Sequence, residues 1–452
     1  MKKFKLFSLA LSLIVLMAAS NTFSQWTFTG FVLGAGTFPT ISAYSETGVV
    51  VFGGPNGTPK VFKSTNSGAN WTDISGNLPA GKEMYTGYAL DANNIFCADG
   101  GASGGAGGDA KAYRTTNGGT TWTQILNTGG TAGFFNSIVF SKTTPTFGVI
   151  QSDPPSGPGQ PYFLRKTTDG GATWLTLTVP GVTGQASSQN GLCVVDANFF
   201  AFGLGNNTPA RIVVTTDGGT TWNTRQSAIA GGFISGVAFA DDKLRGLMGS
   251  SSSLPNVGRT TDGGVTFSTV SIGAGVTGYC NLKWITGTNV VYVAGAVGAS
   301  GVVKRSIDGG ATWTTMTTGG ITGITHMEYF KSGSTATLYA VAGDGSVIKY
   351  TDNLTGIDPN NTTTPETFAL QQNYPNPFNP STTIKYSVPE SGNVTVKIYN
   401  TLGTEVKTVV NKNHAAGNYV ENVDMSEFSS GIYFYTMTSG GFTETKKMIL
   451  VK

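Results

Sequence analysis

Hydrolysis of a glycosidic bond needs two carboxyl groups facing each other across a cleft. A zinc centre needs several His, Cys or carboxylate ligands brought together. The sequence is poor in both. It holds two histidines, His326 and His414, and three cysteines, Cys97, Cys193 and Cys280. The cysteine count is odd and each falls in the strand of a different repeat. They read as buried free thiols rather than a disulfide framework or a metal site. What the chain does offer is a scatter of polar side chains in segments that vary from repeat to repeat: Asn56, Asp109, Asp153, Gln160, Tyr162, Asn206 and Asn256. Variable loops on a rigid scaffold are where binding usually resides. Taken singly, each residue also reads as ordinary solvent-exposed loop. Asp109 and Asp153, the carboxylates of the set, sit in Gly/Pro-rich stretches that would hold a catalytic geometry poorly. No catalytic residue, metal or cofactor is assigned.

The elements that carry these loops are announced by one recurring phrase. Its cleanest form is Thr167-Thr168-Asp169-Gly170-Gly171-Ala172-Thr173-Trp174, with variants starting at Ser64, Thr115, Thr215, Thr260 and Ser306. The Asp or Asn positions are Asn66, Asn117, Asp169, Asp217, Asp262 and Asp308. The closing aromatics are Trp71, Trp122, Trp174, Trp222, Phe267 and Trp313, spaced 45 to 52 residues apart. A period of that length is the size of one propeller blade. The phrase reads as a hairpin turn in which the Asp or Asn bonds backbone N–H groups two residues on. The glycine pair tolerates positive φ, and the aromatic opens the next strand.

Between the turns, each repeat carries two further strand patterns, from FPTISAYSETGVVVFGG to ITHMEYFKSGSTATLYAVAG, giving seven hairpins against six turns. The seventh hairpin is followed by SVIKYTDN, a third strand with a decayed turn and no aromatic. The strand it lacks is at the other end of the chain, in Trp26-Thr27-Phe28-Thr29-Gly30. Pairing of that segment beside Lys349 and Tyr350 would close a ring and remove its exposed edges. Strand order then places the first-to-second turns and the repeated turns on one face. The variable second-to-third loops lie on the other, which is the candidate binding face.

The phrase resembles the Asp-box, or BNR, repeat of sialidase-type and sortilin-type β-propellers, and six matches in register make the resemblance specific for architecture. In those families the box is structural, so the resemblance implies little chemistry. Sialidases also use an arginine cluster, a Tyr–Glu pair and an early Arg-Ile-Pro. This chain has no Arg-Ile-Pro, and its first arginine is Arg114. Five of the six boxes have Lys or Arg three residues before the Asp/Asn position: Lys63, Arg114, Lys166, Arg259 and Arg305, with Val214 breaking the series. A basic ring for an anionic glycan is one reading, and solvated charges on third strands is the other. Trp284 aligns with Phe140, Phe239 and Phe330 of other repeats, which suggests packing between blades.

The first residues place three lysines ahead of an apolar run from Leu6 to Ala19, the layout of a secretory signal peptide cleaved near Gln25. No later segment has transmembrane length. Charged residues are 12% of the chain, and a net charge of +3, evenly spread, argues against nucleic acid. Composition shifts in NLTGIDPNNTTTPETF, a linker. Beyond it, QNYPNPFNPSTTIKYSVPESGNVTVKIYNTLGTEV, SSGIYFYTM and TKKMILVK alternate as strands of a small sandwich. Their wording is similar to the type A C-terminal sorting domain of the type IX secretion system. That resemblance implies recognition by the outer-membrane translocon of a Bacteroidetes-like bacterium.

The expected organisation is all-β: a signal peptide over 1–24, a seven-bladed β-propeller over 25–356 closed by the N-terminal strand, a linker over 357–367 and a sorting β-sandwich over 368–452. The expected protein is a secreted or cell-surface monomer that binds a glycan, peptide or protein partner. An extracellular, sialidase-like glycoside hydrolase is the alternative. An assembly factor, resembling the single seven-bladed propellers that help build photosystem II, is a third possibility.

Overall fold

The repeated turn is built by side chains that replace missing backbone bonds. In the turn after Thr167, the Thr167 hydroxyl donates to Asp169 Oδ1 at 2.8 Å and accepts the Gly171 N–H at 2.8 Å. Asp169 in turn accepts the Thr173 N–H at 2.9 Å and its hydroxyl at 2.6 Å. The carboxylate therefore reaches four residues on. The expected bond two residues on is instead made by the preceding threonine, whose shorter side chain lies closer to that N–H. The same pattern recurs around Asn117, Asp217, Asp262 and Asp308. Gly170 and Gly171 have φ of 69° and 81°, the region that glycine alone enters freely. A Cβ on Gly171 would also lie 2.5 Å from the Phe96 ring of the preceding sheet. The turn is thus both a reversal and a contact between neighbours.

The computed structural model describes residues 26–32, 38–54, 57–101, 108–156, 159–180, 182, 191–205, 209–273, 276–297, 300–354, 367–373, 375–390, 392–414 and 417–452. The leader and most of the expected linker lie outside these residues. Among the described residues, all regular structure is β. Seven antiparallel four-stranded sheets come first. Six are sequential meanders over 40–73, 84–127, 135–177, 192–226, 234–271 and 277–316, forming blades 1 to 6. Blade 7 joins Ile324–Ser332, Thr335–Ala342 and Ser346–Asn353 to Thr27–Phe31 from the start of the chain. Each first strand packs against the first strand of the next blade, and the seventh packs against the first. The molecule is a seven-bladed β-propeller.

Closure is specific. Thr27 pairs with Lys349 and Phe28 with Ile348, then a bulge shifts the register so that Gly30 meets Val347 and Phe31 meets Ser346. Trp26 is buried, its ring 5.6 Å from that of Tyr350, and its backbone N–H donates to Thr317 O at the end of blade 6 at 3.2 Å. Apolar clusters fill all seven gaps between neighbouring blades. Trp284 belongs to the one between blades 5 and 6, with its indole N–H donating to Thr288 O at 2.8 Å. Cys97 is buried and Cys193 half-buried, both free thiols, while the Cys280 side chain is outside the described set.

One repeated bond fixes the faces. Each turn donates a backbone N–H to the first-to-second turn of its own blade: Ser67 to Thr47, Gly118 to Asn93, Gly170 to Thr146, Gly218 to Asn198, Gly263 to Leu244 and Gly309 to Asn289. Both kinds of turn therefore share an end of the ring, here the turn face. The basic residues before the turns are neither a ligand ring nor idle solvated charges. Lys63 donates to Gly118 O at 3.2 Å, Lys166 to Gly218 O at 2.7 Å and Arg259 to Gly309 O at 2.9 Å, each in the next blade's turn. Lys349 donates to Ser67 Oγ across the closure at 2.9 Å. Arg305 meets Asp352 of blade 7 with two bonds of 2.9 and 3.0 Å. Arg114 bonds Asn94 within its own blade and lies over the Phe96 ring. Most of the series staples one blade to the next.

The C-terminal residues form two sheets. One holds Ala369–Leu370, Ser381–Val388 and Gly417–Asp424. The other orders Glu405–His414, Gly392–Tyr399, Gly431–Ser439 and Phe442–Leu450. Ser381–Val388 alternates buried and half-buried residues, the period of a strand with one core face. Both sheets feed one apolar core that includes Ile384, Tyr386, Val396, Tyr435 and Met448.

Trp26→Ala removes the largest side chain holding the closing strand, and losses of this type cost about 3–5 kcal/mol. Urea unfolding followed by tryptophan fluorescence is expected to show that loss. An unchanged midpoint would mean that the N-terminal strand adds nothing to the ring.

Candidate functional site

On the loop face, the described residues among those singled out from sequence are spread over blades 2, 3 and 5. Asp109 is exposed at the base of the blade 2 loop and accepts the Gly129 N–H at 2.9 Å. Asp153, half-buried at the end of blade 3's second strand, accepts from Asn136 Nδ2 at 2.6 Å. Gln160 is exposed in blade 3. Tyr162 is buried, edge-on to Phe202 of blade 4 at 5.4 Å, so its ring belongs to the core between those blades. Asn256 is exposed at the start of blade 5's third strand. Asn56 and Asn206 lie outside the described residues.

Sequence reasoning passed over two features of this face. The first strands of blades 2, 3, 5 and 7 each carry a register shift near their loop-face ends, at Met84/Thr86, Phe135/Ser137, Ile234/Gly236 and Ile324/His326. Bulges re-aim side chains, and here the Tyr85 and Phe134 rings lie 4.7 Å apart beside two of them. The second feature is Asp99, fully buried where blade 2's loop departs. Its Oδ1 accepts the N–H groups of Gly101 at 2.8 Å and Lys111 at 3.0 Å, on either side of the loop. Its Oδ2 has no hydrogen-bond partner among the described residues. Burial pushes the carboxyl up to about 6, against the pull of those two N–H groups and of Lys82 and Lys111.

The turn face holds a denser site on the ring axis. Lys142, in the first-to-second turn of blade 3, reaches across to blade 7. Its ammonium donates to Tyr329 O at 3.0 Å and pairs with Glu328 at 3.3 Å. It also sits 5.2 Å from the Tyr88 ring centre and 5.0 Å from that of Tyr329. Lys283 of blade 6 donates to the other Glu328 oxygen at 3.0 Å. Burial alone would raise the Glu328 carboxyl, but Lys142 and Lys283 outweigh it and hold the group ionised, down at about 2. Burial also lowers the nearby His326, aided by Lys283, to about 3. The imidazole is therefore neutral, and its Nδ1 accepts the Ile41 N–H of blade 1 at 3.3 Å. The signal available in the sequence was a charge inside an apolar first strand, as in HMEYF and NLKW.

Two hollows flank Lys142. The inner one, about 80 Å³, is lined by Glu328, Asp241, Lys283 and Cys193 among others. The outer one, about 250 Å³, is lined by Tyr44, Tyr88, Tyr329, Phe330, Lys142 and Lys331 among others. Glu328 and Asp241 share the inner hollow and are pushed in opposite directions, Asp241 upward by burial. Such a split suits an acid and a base. At about 80 Å³, the space between them is well below the roughly 150 Å³ of an enclosed cavity that admits benzene.

The comparisons with known proteins divide the chain. Residues 372–452 match the secretion system C-terminal sorting domain. The C-terminal sandwich is thus a type IX sorting domain, which marks the protein for export to the cell surface or beyond. No curated protein matches the chain. Among solved structures, it is similar to one described as YCF48 bound to D1 peptide, at 15% identity and a TM-score of 0.53, over 73% of this chain and 96% of that one. It is also similar to YCF48 from Cyanidioschyzon merolae, at 15% identity and a TM-score of 0.46, over 72% and 98%. The likeness to the first is one of fold.

Asp99 sets a pH dependence. Its folded value, about 6, lies above the ordinary 3.8. Between those values the folded state binds more protons than the unfolded one, so stability falls as pH rises from about 4 to 6. Urea midpoints of the wild type minus those of Asp99→Asn are expected to decline over that window. Parallel curves would refute the assignment.

Proposed function

We propose that this is an exported binding or scaffold protein of a Bacteroidetes-like bacterium, secreted or held at the cell surface, whose propeller takes a glycan, peptide or protein partner on its loop face. An N-terminal Sec leader and the sorting domain would act in turn, the second engaging the type IX translocon. The observation that carries binding over hydrolysis is the fate of the carboxylates. Asp109 and Asp153 brace loops, and Glu328 is held by two lysines. Glycoside hydrolysis needs two carboxyls free to reach one bond. Two of the arginines that a sialidase-like cluster could draw on, Arg259 and Arg305, are likewise committed to the next blade. The turn chemistry supports the Asp-box resemblance, in which the boxes are structural.

A propeller of the same fold has been solved with a bound peptide, which supports a peptide or protein as well as a glycan. Asp109, Asp153, Gln160 and Asn256 supply hydrogen-bonding groups around the loop face. The hydrolase reading draws on one observation, the opposite pKa displacement of Asp241 and Glu328 within one hollow.

A glycan array and a pull-down with the full chain, each repeated with Gln160→Ala/Asn256→Ala, test the binding reading. Capture of a partner that weakens about tenfold in the double variant is expected, with no turnover of fluorogenic glycosides. Turnover that disappears in Glu328→Gln would establish the hydrolase instead.

A further inference from the structure

The outer axial hollow has a composition of its own. Its walls include four rings, Tyr44, Tyr88, Tyr329 and Phe330, drawn from blades 1, 2 and 7. Its charged lining residues are Lys142 and Lys331, and no Asp or Glu lines it among the described residues. The volume, about 250 Å³, exceeds the roughly 150 Å³ that accommodates a benzene molecule and falls short of a drug-sized pocket. That leaves room for one ring and its substituents.

The charges around it also lean one way. Lys142 is fixed by Glu328, Tyr329 O and two tyrosine faces, so it presents a positioned positive charge rather than a swinging one. Glu328 is itself shared with Lys283 and faces the inner hollow. Lys331 is half-buried, and among the described residues its ammonium makes no hydrogen bond or ion pair. Asp241 acts on it only through the field, from the inner hollow. Asp91 lies near enough to influence Tyr44 but is not part of the lining. A flat ring set among these aromatic walls would place an acidic substituent toward the two lysines, in a site partly screened from water where each charge counts for more.

We propose that the axial hollow on the turn face binds a ring-sized organic carboxylate, its ring against the Tyr44, Tyr329 and Phe330 walls and its carboxylate toward Lys331 and Lys142. The site lies at the opposite end of the ring from the loop face, so it is a second binding site, independent of the partner proposed there. Two sources share this chemistry: the terminal unit of an acidic sugar chain, and an aromatic acid.

Calorimetric titration of the full chain with glucuronate and with benzoate tests the site, using glucose and benzyl alcohol as the matched neutral molecules. At least one acid is expected to bind, with its neutral counterpart tenfold weaker or worse. Lys331→Gln, which keeps the aliphatic stem, is expected to lower affinity at least tenfold, and Thr269→Ala, exposed on the outer strand of blade 5, to leave it unchanged. Binding of glucuronate alone assigns the sugar source, and binding of benzoate alone the aromatic one. The proposal is overturned if neither acid binds at millimolar concentration, if the neutral molecules bind equally well, or if Lys331→Gln leaves affinity intact. A thermal melt of Lys331→Gln matching the wild type confirms that any loss is local. If that variant melts early, Tyr44→Leu serves in its place with the same expected loss.

Discussion

The pairing of Thr27–Phe31 with Ser346–Asn353 is the constraint on which the rest depends. Six blades are complete in themselves, and the seventh is not. Its fourth strand arrives from the far end of the chain, so the loop being closed is almost the whole propeller. Closing a loop of that length costs entropy only logarithmically, and the ring repays it by covering the edge of Ser346–Asn353 and burying Trp26 in the core between blades 6 and 7. Blade 7 also carries Glu328, Tyr329 and Lys331, three of the groups that shape the axial site. Fixing blade 7 against blade 1 therefore fixes the charge balance at the centre.

Polar chemistry organises the rim in the same way. Each turn satisfies its own backbone with a Ser or Thr hydroxyl and an Asp or Asn side chain and bonds the turn beside it, and four of the six, in blades 1, 2, 4 and 6, receive a cation from the blade before. Bonds from a charged donor to a carbonyl are stronger than neutral ones, so these staples add direction to packing that is otherwise apolar. Blade 7 has lost the turn, and there the arrangement changes. Arg305 meets a carboxylate, Asp352, which also accepts from Tyr292. A buried network of this kind is costly unless every member is satisfied, and here the guanidinium and the phenol together cover both carboxylate oxygens.

The fold was largely legible in the sequence because its signals are local. A turn of eight residues repeats six times, strands alternate between the turns, and Trp26 stands where a repeat begins without its turn. The sorting module was equally legible from its wording. What escaped is non-local. Lys142 and Glu328 are 186 positions apart, in blades that are not neighbours, and no periodicity links them. The staple lysines and arginines are visible as a series, but all of their acceptors except the Asp352 carboxylate are carbonyl groups one repeat later, which leave no mark in the sequence. Tyr162 was chosen as a loop residue, yet it is buried because the next blade brings Phe202 against it. Asp99 carries no mark of its own in the sequence; burial and its two N–H partners set it apart in the fold.

The two ends of the ring differ in kind. The loop face is assembled from variable segments on separate blades, whereas the axial site on the turn face is a fixed cluster of charges and rings. That contrast exists only if the ring is closed as described. Native-state hydrogen exchange read by mass spectrometry tests this most directly. Peptides covering Thr27–Phe31 and Ser346–Asn353 are predicted to be protected to the same degree as Thr335–Ala342 inside blade 7. Exchange of Thr27–Phe31 at the rate of an unfolded peptide, while Thr335–Ala342 stays protected, would contradict the closed ring.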